Sequence, residues 1–436
     1  VFWVRVSISQ FGGVDAILAT IATLGFVTVV AIFFGFTGWL GCYLTPDPKR
    51  RLALTIPAAW VLMEWLRGWI LTGFPWLALG YSQIDSPLAG YAPILGVYGI
   101  SWILISNVGW ILAIYHNHSY AIITYRAAFG ILLALLLWGS GWILRQVEWT
   151  SPIGDPFVVS MIQPSIPQAS KWESGRLLPI LKAQRRLSET APGNLIIWPE
   201  TAVPSLYHHV EKWLNVLARE LALRDAKLLL GVPVLDPDGK RYYNGAVLVG
   251  SQPFTAYYKR HLVPFGEYLP LKVWLDSLLK FLKIPMSSFT AGVPESPDMR
   301  IGEHTVGISI CYEDAFGAEI RQALPDAAYL INLSNDGWFG DSLAPHQHLE
   351  IARMRALEVG RPLLRATNSG ISAFIGANGQ LQHTSKLFVE TVLSGSVQPM
   401  TGVTPFVFWG DNAILILICL ILSLEVVKPK DQTHPN

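Results

Sequence analysis

Five apolar stretches constrain this chain more than any other feature. Four precede a long polar region, at roughly 16–44, 52–72, 88–115 and 121–144, and a fifth follows it at roughly 406–424. Each approaches or exceeds the ~20 residues a helix needs to cross the hydrocarbon core of a bilayer. Charged residues make up only 14% of the 436, hydrophobic ones 51%, and the mean hydropathy is +0.38. A soluble globular chain carries about a quarter charged residues. The deficit sits at the two ends, so membrane helices are expected on both sides of a polar domain. A net charge of +1 gives no sign of a nucleic-acid partner. No Cys/His spacing suits a metal, and no cofactor is called for.

The Lys/Arg bias sets an expected orientation. Lys49, Arg50 and Arg51 lie between the first two stretches, which places that loop in the cytoplasm. The short loop His116–Ser119, with Arg126 nearby, and the tail bearing Lys428 and Lys430 then fall on the same side. Residues ~145–405 are left on the external face. This also puts Val1 outside, with no signal peptide at the start, so earlier spans are expected upstream. The expected division is 1–145 for four spans, 146–405 for the polar domain, 406–427 for a last span and 428–436 for a cytoplasmic tail. Glu64 and Arg67, three apart on one helix face, are expected to form an ion pair turned into the bundle. A functional role is the alternative.

The polar region reads as α/β. Short apolar runs bounded by Gly, Pro or Asn predict strands at Pro156–Ile162, Leu195–Trp198, Lys227–Val232, Gly245–Val249, Thr305–Ile310 and Ala328–Leu333. Helical periodicity predicts helices over Leu177–Glu189, Val210–Arg224 and His346–Gly360. Strands alternating with helices argue for sheets covered by helices. His346 and His348 would point to different helix faces and hold no metal. Leu269–Ile284 spaces Leu and Trp near helical period with lysines between them. It suits an interfacial helix or a helix packed on its own domain.

Three motifs in this region carry chemistry, each at a predicted strand end. Ile196-Ile197-Trp198-Pro199-Glu200 stops an apolar strand at a proline and delivers a carboxylate. Tyr257 to Glu267 presents Lys259 and a second carboxylate, Glu267. Ile308-Ser309-Ile310-Cys311-Tyr312-Glu313 ends a buried strand on a cysteine. Cys42 and Cys419 lie in apolar runs, so Cys311 is the polar region's only thiol and a candidate nucleophile. Singly, each motif has a plain reading: a cap, a solvated charge, a small core residue.

Together, Glu200, Lys259 and Cys311, in that order and in the contexts WPE, YxK and CYE, resemble the nitrilase-like carbon–nitrogen hydrolase superfamily. That resemblance implies a Glu–Lys–Cys triad on an αββα sandwich. With membrane helices on both sides, the chain further resembles the apolipoprotein N-acyltransferase family. Gly73-Phe74-Pro75-Trp76, Gly80-Tyr81-Ser82-Gln83, Asn335-Asp336-Gly337-Trp338-Phe339 and Arg365-Ala366-Thr367-Asn368-Ser369-Gly370 are similar to it in detail. The family has eight spans against the five counted here, so its earliest helices are expected to be absent.

The resemblance implies an acyltransferase of the bacterial inner membrane, multi-pass, with its catalytic domain outside. A phospholipid, usually phosphatidylethanolamine, would donate an acyl chain to Cys311. The α-amine of a diacylglyceryl-modified N-terminal cysteine on an apolipoprotein would receive it. Glu200 would be the general base, and Lys259 would stabilise the oxyanion. Glu267, Tyr312 and Glu313 would shape the triad, and Trp172 and Trp338 would sit on loops beside the pocket. A membrane-tethered amidase using the same triad is the alternative, and a transporter with an inert domain a second one.

Overall fold

A computed structural model of the chain describes residues 2–115, 120–268, 289–293 and 299–427, with the backbone alone for 120–128. The Leu269–Ile284 segment, the His116–Ser119 loop, the side chain of Arg126, and Lys428 and Lys430 lie outside the described residues. The chain forms two compact units, one of residues 1–25 and 149–403, the other of 26–148 and 404–436.

The first unit is built on two six-stranded sheets. One orders its strands Thr391–Val397, Phe157–Gln163, Leu195–Trp198, Lys227–Leu235, Tyr242–Leu248, Thr255–Tyr258. The other runs Met299–Ile301, His304–Ile310, Ala327–Ser334, Leu363–Thr367, Ala373–Ile375, Leu381–Thr384. Read in these orders, both sheets repeat one pattern: an antiparallel pair, two parallel pairs, then two antiparallel pairs.

The two-residue period of a strand explains the layers. Leu195 and Ile197 point to one side, into a core shared with Ile308, Ile310, Ile331, Leu333 and Phe374 of the second sheet. Ile196 and Trp198 point to the other side, onto Leu181, Leu187, Leu214 and Leu217. Those leucines belong to the amphipathic helices Leu177–Thr190 and Tyr207–Ala222. The helix Ala344–Val359 is buried along most of its length. The result is the expected αββα sandwich. Within this helix His346 is exposed and His348 buried, on different faces as expected. The N-terminal residues also belong to this unit: Trp3 meets Phe339 edge-on at 4.9 Å, and Phe11 meets Trp338 at 5.9 Å.

Ala16–Leu44, which begins in the first unit and continues into the second, and Pro87–Tyr115 of the second unit are long and apolar enough to cross a membrane by length and composition. Tyr120–Leu144 is helical over 25 residues, and Asn412–Val426 is a shorter apolar helix. Only 11% of the apolar window in Ala16–Leu44 is buried. Ile21, Leu24, Ile32, Phe36 and Trp39 stand on its exposed face, far more apolar surface than water tolerates in one patch.

The second apolar stretch is helical only to Arg67. Leu71, Thr72 and Gly73 then take positive φ, and the chain reverses through short 3₁₀ turns. A Cβ on Gly73 would lie 2.1 Å from the Gly68 carbonyl oxygen, so this reversal requires glycine. The third stretch breaks at Gly96 (φ 65°) and the last at Gly410 (φ 55°). Arg50 pairs with Glu425 at 2.5 Å, and Thr45 donates to Glu425 at 3.2 Å. The end of the last helix therefore meets the Lys49–Arg51 loop, on the side the charge bias assigns to both.

The expected Glu64–Arg67 ion pair does not form among the described residues. Both side chains are buried, but Glu64 accepts from Trp60 Nε1 at 2.9 Å and from the Leu79 N–H at 2.8 Å. Arg67 instead lies over the Phe34 ring, 5.8 Å from its centroid.

Candidate active site

The three chemistry-bearing motifs all stand at strand ends, two on one sheet and one on the other. Glu200 follows Leu195–Trp198, Lys259 follows Thr255–Tyr258, and Cys311 follows His304–Ile310. The Lys259 ammonium is fully buried, 2.8 Å from Glu267 Oε2 and 3.5 Å from Glu200 Oε1. Asn244 Nδ2 donates to Glu200 at 2.8 Å and to Glu267 at 3.0 Å, spacing the two carboxylates. Glu267 also accepts from the Val263 N–H at 2.8 Å, which closes its own loop. Burial works against the charge on Lys259, yet Glu267, Glu200 and Cys311 together hold its pKa above the ordinary lysine value.

Cys311 opens a 3₁₀ turn with φ +53°, a conformation that L-residues seldom adopt. Burial, and then the charge of Glu200, push its thiol pKa well up, against the pull of Lys259. Burial and the Glu200 carboxylate thus favour the protonated thiol, and the Lys259 ammonium opposes them. The Cys311 carbonyl accepts from Asn332 Nδ2 at 3.1 Å and lies 3.3 Å from His348 Nε2.

Glu313 anchors both sides of this site. It accepts from the Ile310 N–H at 2.7 Å and the Tyr257 hydroxyl at 2.9 Å. Its other oxygen accepts from the N–H groups of Arg260 and His261, at 2.6 and 3.1 Å. One carboxylate thus ties the cysteine turn to the chain just after Lys259. Burial raises it to about 7. The Tyr312 ring packs edge-on to Phe316 at 5.1 Å and to His261 at 5.9 Å.

Trp172 is partly exposed, and Trp338 packs on Phe11 rather than on the domain core. Neither takes part in the hydrogen bonds around Lys259. Their loops are tied together nonetheless. Asn335 donates to Gln168 at 2.7 Å, and Asn368 donates to the carbonyl of Ile166 at 2.8 Å and to Asn335 at 3.2 Å. Lys171, next to Trp172, is buried, and burial lowers it to about 8 while Glu200 pulls it back up.

A second charged layer underlies Cys311 and was not read from the sequence. Arg365 donates to Asp314 at 3.1 Å, to Asp336 at 2.9 Å and to Asn332 at 2.9 Å. His348 bridges the same two aspartates, 2.8 Å from each. Arg365, Asp314, Asp336 and His348 are all fully buried. Buried ions persist only when paired, and this network fixes the floor on which the Cys311 turn rests. An arginine inside the apolar run Leu363–Thr367 is the one local signal for it. Asn244, on an ordinary strand, offers none.

Gly231 decides where Glu200 sits. A Cβ there would lie 2.5 Å from the Pro199 carbonyl oxygen and 2.7 Å from Glu200 Cα, and both are backbone atoms that cannot yield. Gly231→Ala should therefore displace the Glu200 turn. A shift of about 1 Å in a reacting group costs on the order of 10²-fold in rate. We expect that loss in single-turnover acylation of Cys311, with the circular dichroism of the wild type retained.

Two sheets sandwiched between helices, with a carboxylate, a lysine and a cysteine at strand ends, define a class, and residues 159–405 match the Carbon-nitrogen hydrolase family model. Residues 1–109 match the model for the Apolipoprotein N-acyltransferase N-terminal domain. Apolipoprotein N-acyltransferase of Methylococcus capsulatus is 42% identical over 94% of this chain and 81% of its own length. That of Nitrosomonas europaea is 38% identical over 97% and 84%, and that of Pseudomonas syringae pv. tomato 39% over 96% and 83%. The chain belongs to the apolipoprotein N-acyltransferase family.

Proposed function

We propose that the protein transfers a fatty acyl chain from a phospholipid, through a thioester on Cys311, to the α-amine of an N-terminal diacylglyceryl-cysteine on an apolipoprotein. The observation that carries this reading is a lone thiol beside a buried carboxylate–ammonium pair, in a chain that also has apolar membrane-length helices. Phosphatidylethanolamine is the proposed donor.

Glu200 acts as general base. It takes the thiol proton as Cys311 attacks the ester carbonyl. Lys259, anchored by Glu267, faces the oxyanion of the tetrahedral intermediate. When the carbon–oxygen bond breaks, Glu200 returns the proton to the departing lysophospholipid oxygen. In the second half-reaction the acceptor amine attacks the thioester, Glu200 takes a proton from nitrogen, the carbon–sulfur bond breaks, and Glu200 returns that proton to the Cys311 sulfur. Trp172 and Trp338, on their cross-linked loops, help keep water from the thioester.

The test is a count of product against enzyme. With phospholipid and no acceptor, about one lysophospholipid per active site should appear, and release should then stop. A peptide with a free diacylglyceryl-cysteine amine should restart turnover, and the N-acetylated peptide should not. Continuous release of free fatty acid without acceptor would instead mark a hydrolase.

The charge bias and the meeting of Arg50 with Glu425 support a location in the bacterial inner membrane, multi-pass, with residues 145–405 outside. A reporter active only in the cytoplasm, fused near Arg145, should be silent. Strong activity there would reverse the orientation.

A further inference from the structure

The loop between Phe157–Gln163 and Leu177–Thr190 inverts the usual partition of side chains. Trp172 is 37% exposed, while Lys171 beside it is only 1% exposed. Lysine is almost never fully buried unless it is paired. Yet the Lys171 ammonium makes no hydrogen bond and no ion pair among the described residues.

Its place in the fold says what it answers. Phe157–Gln163 and Leu195–Trp198 are parallel neighbours, so the chain following each leaves the sheet at the same edge. One of these segments carries Lys171 and the other carries Glu200. Gln184 Nε2 donates to the Ala202 carbonyl at 3.4 Å, which ties the helix after the Lys171 loop to the Glu200 turn. Glu200 is also the charge that acts on Lys171.

A count of charges gives the reason. Glu200 and Glu267 are two carboxylates, and Lys259 is one ammonium, 2.8 Å from Glu267 and 3.5 Å from Glu200. Glu313 has Arg260 beside it, and Asp336 is paired with Arg365 and His348. One negative charge is left over around Lys259, and buried charge persists only when it is compensated. Lys171 is the cation that completes the count.

We propose that Lys171 is a positioning residue for the base: its ammonium balances the second carboxylate beside Lys259 and keeps Glu200 ionised. When Glu200 takes the thiol proton, its negative charge passes to the oxyanion, so the four charges stay balanced through the step. The proposal rests on the reading of Glu200 as the general base.

The test is a pH profile of single-turnover acylation of Cys311 in the full chain. It is followed by intact-protein mass spectrometry over the range in which the protein stays folded. In Lys171→Met the pH of half-maximal acylation should rise by about one unit, with acylation about tenfold slower on the acid side. The plateau should be kept. Lys171 itself loses its proton at about 8, so the profiles of wild type and variant should coincide above that pH. Glu313, which burial raises to about 7, is common to every variant, so only the difference between profiles is read. Lys171→Arg keeps the charge and should leave the profile where it is. Lys171→Gln carries the same expectation as Lys171→Met and replaces it if methionine does not fold there.

A lysine that serves packing alone would lower the rate equally at every pH. That result overturns the proposal, as does an unmoved profile, or a shift in Lys171→Arg equal to that in Lys171→Met. Glu200→Gln is measured in parallel. Near-normal acylation there removes the base assignment and this proposal with it. Slow acylation there, with an unmoved profile in Lys171→Met, overturns this proposal alone.

Discussion

Cys311→Ala should form no acyl-enzyme, and turnover should fall by at least about 10⁴-fold, the scale at which removing a nucleophile leaves only binding and electrostatics. Cys42 and Cys419 are apolar-segment thiols outside the catalytic unit, so neither can stand in for it. The substitution removes one sulfur from a buried site whose floor is held by Asn332, His348 and Arg365, so the fold should persist. Glu200→Gln is the companion variant. Glutamine keeps an oxygen to accept from Asn244 Nδ2, so the geometry is retained while the base is lost. Acylation should slow by at least about 10²-fold. The measurement is intact-protein mass spectrometry after incubation with phospholipid, following the acyl adduct over time. Near-normal acylation in Glu200→Gln would remove Glu200 from the role of base, and an adduct in Cys311→Ala would remove Cys311 from the role of nucleophile.

Lys259→Met should fail in both half-reactions, by about 10²–10³-fold in each, because in the proposed mechanism the same ammonium faces the oxyanion in both directions. It should also destabilise the protein. Glu200 and Glu267 would be left as one buried and one half-buried carboxylate sharing Asn244, without the cation between them. Breaking a buried pair from one side costs about 3–5 kcal/mol. Stability and catalysis can be separated by adding Glu267→Gln to Lys259→Met. The second change removes the uncompensated charge and should recover much of the stability, while acylation and acyl transfer stay slow. Thermal unfolding and single-turnover rates of the two single variants and the double variant form the cycle that reads this. Recovery of activity together with stability would mean that Lys259 serves the fold and not the reaction.

Much of the catalytic unit was legible from local pattern. Leu195–Trp198 was predicted to the residue, and Lys227, Thr305 and Ala328 lie within a residue of observed strand starts. Such strands are buried on both faces and read as unbroken apolar runs. Leu363–Thr367 escaped because Arg365 interrupts its run. Thr391–Val397 escaped because Ser, Gly and Thr fill it, and it is specified by antiparallel pairing with Phe157–Gln163, more than two hundred residues earlier. Helix breaks in the apolar unit were missed for a related reason. Hydropathy averages over a window and cannot see one positive-φ glycine, such as Gly96 or Gly410.

Local sequence was enough to place six of the strands and three helices of the polar region, and to show that three strand ends carry a carboxylate, a lysine and a thiol. Periods of 2 and 3.6 and the length of an apolar run are local properties, and those are what local sequence encodes. Only the tertiary structure decided which groups answer one another. Lys259 lies closer to Glu267 than to Glu200, Asn244 spaces the two carboxylates, and Glu313 joins the cysteine turn to the lysine loop. Glu64 and Arg67, one helical turn apart, form no hydrogen-bonded ion pair among the described residues. Burial raises the energetic stake of every charge, so a buried ion's partner is whichever group the fold brings within about 3 Å, and that distance is set by strands far apart in the chain.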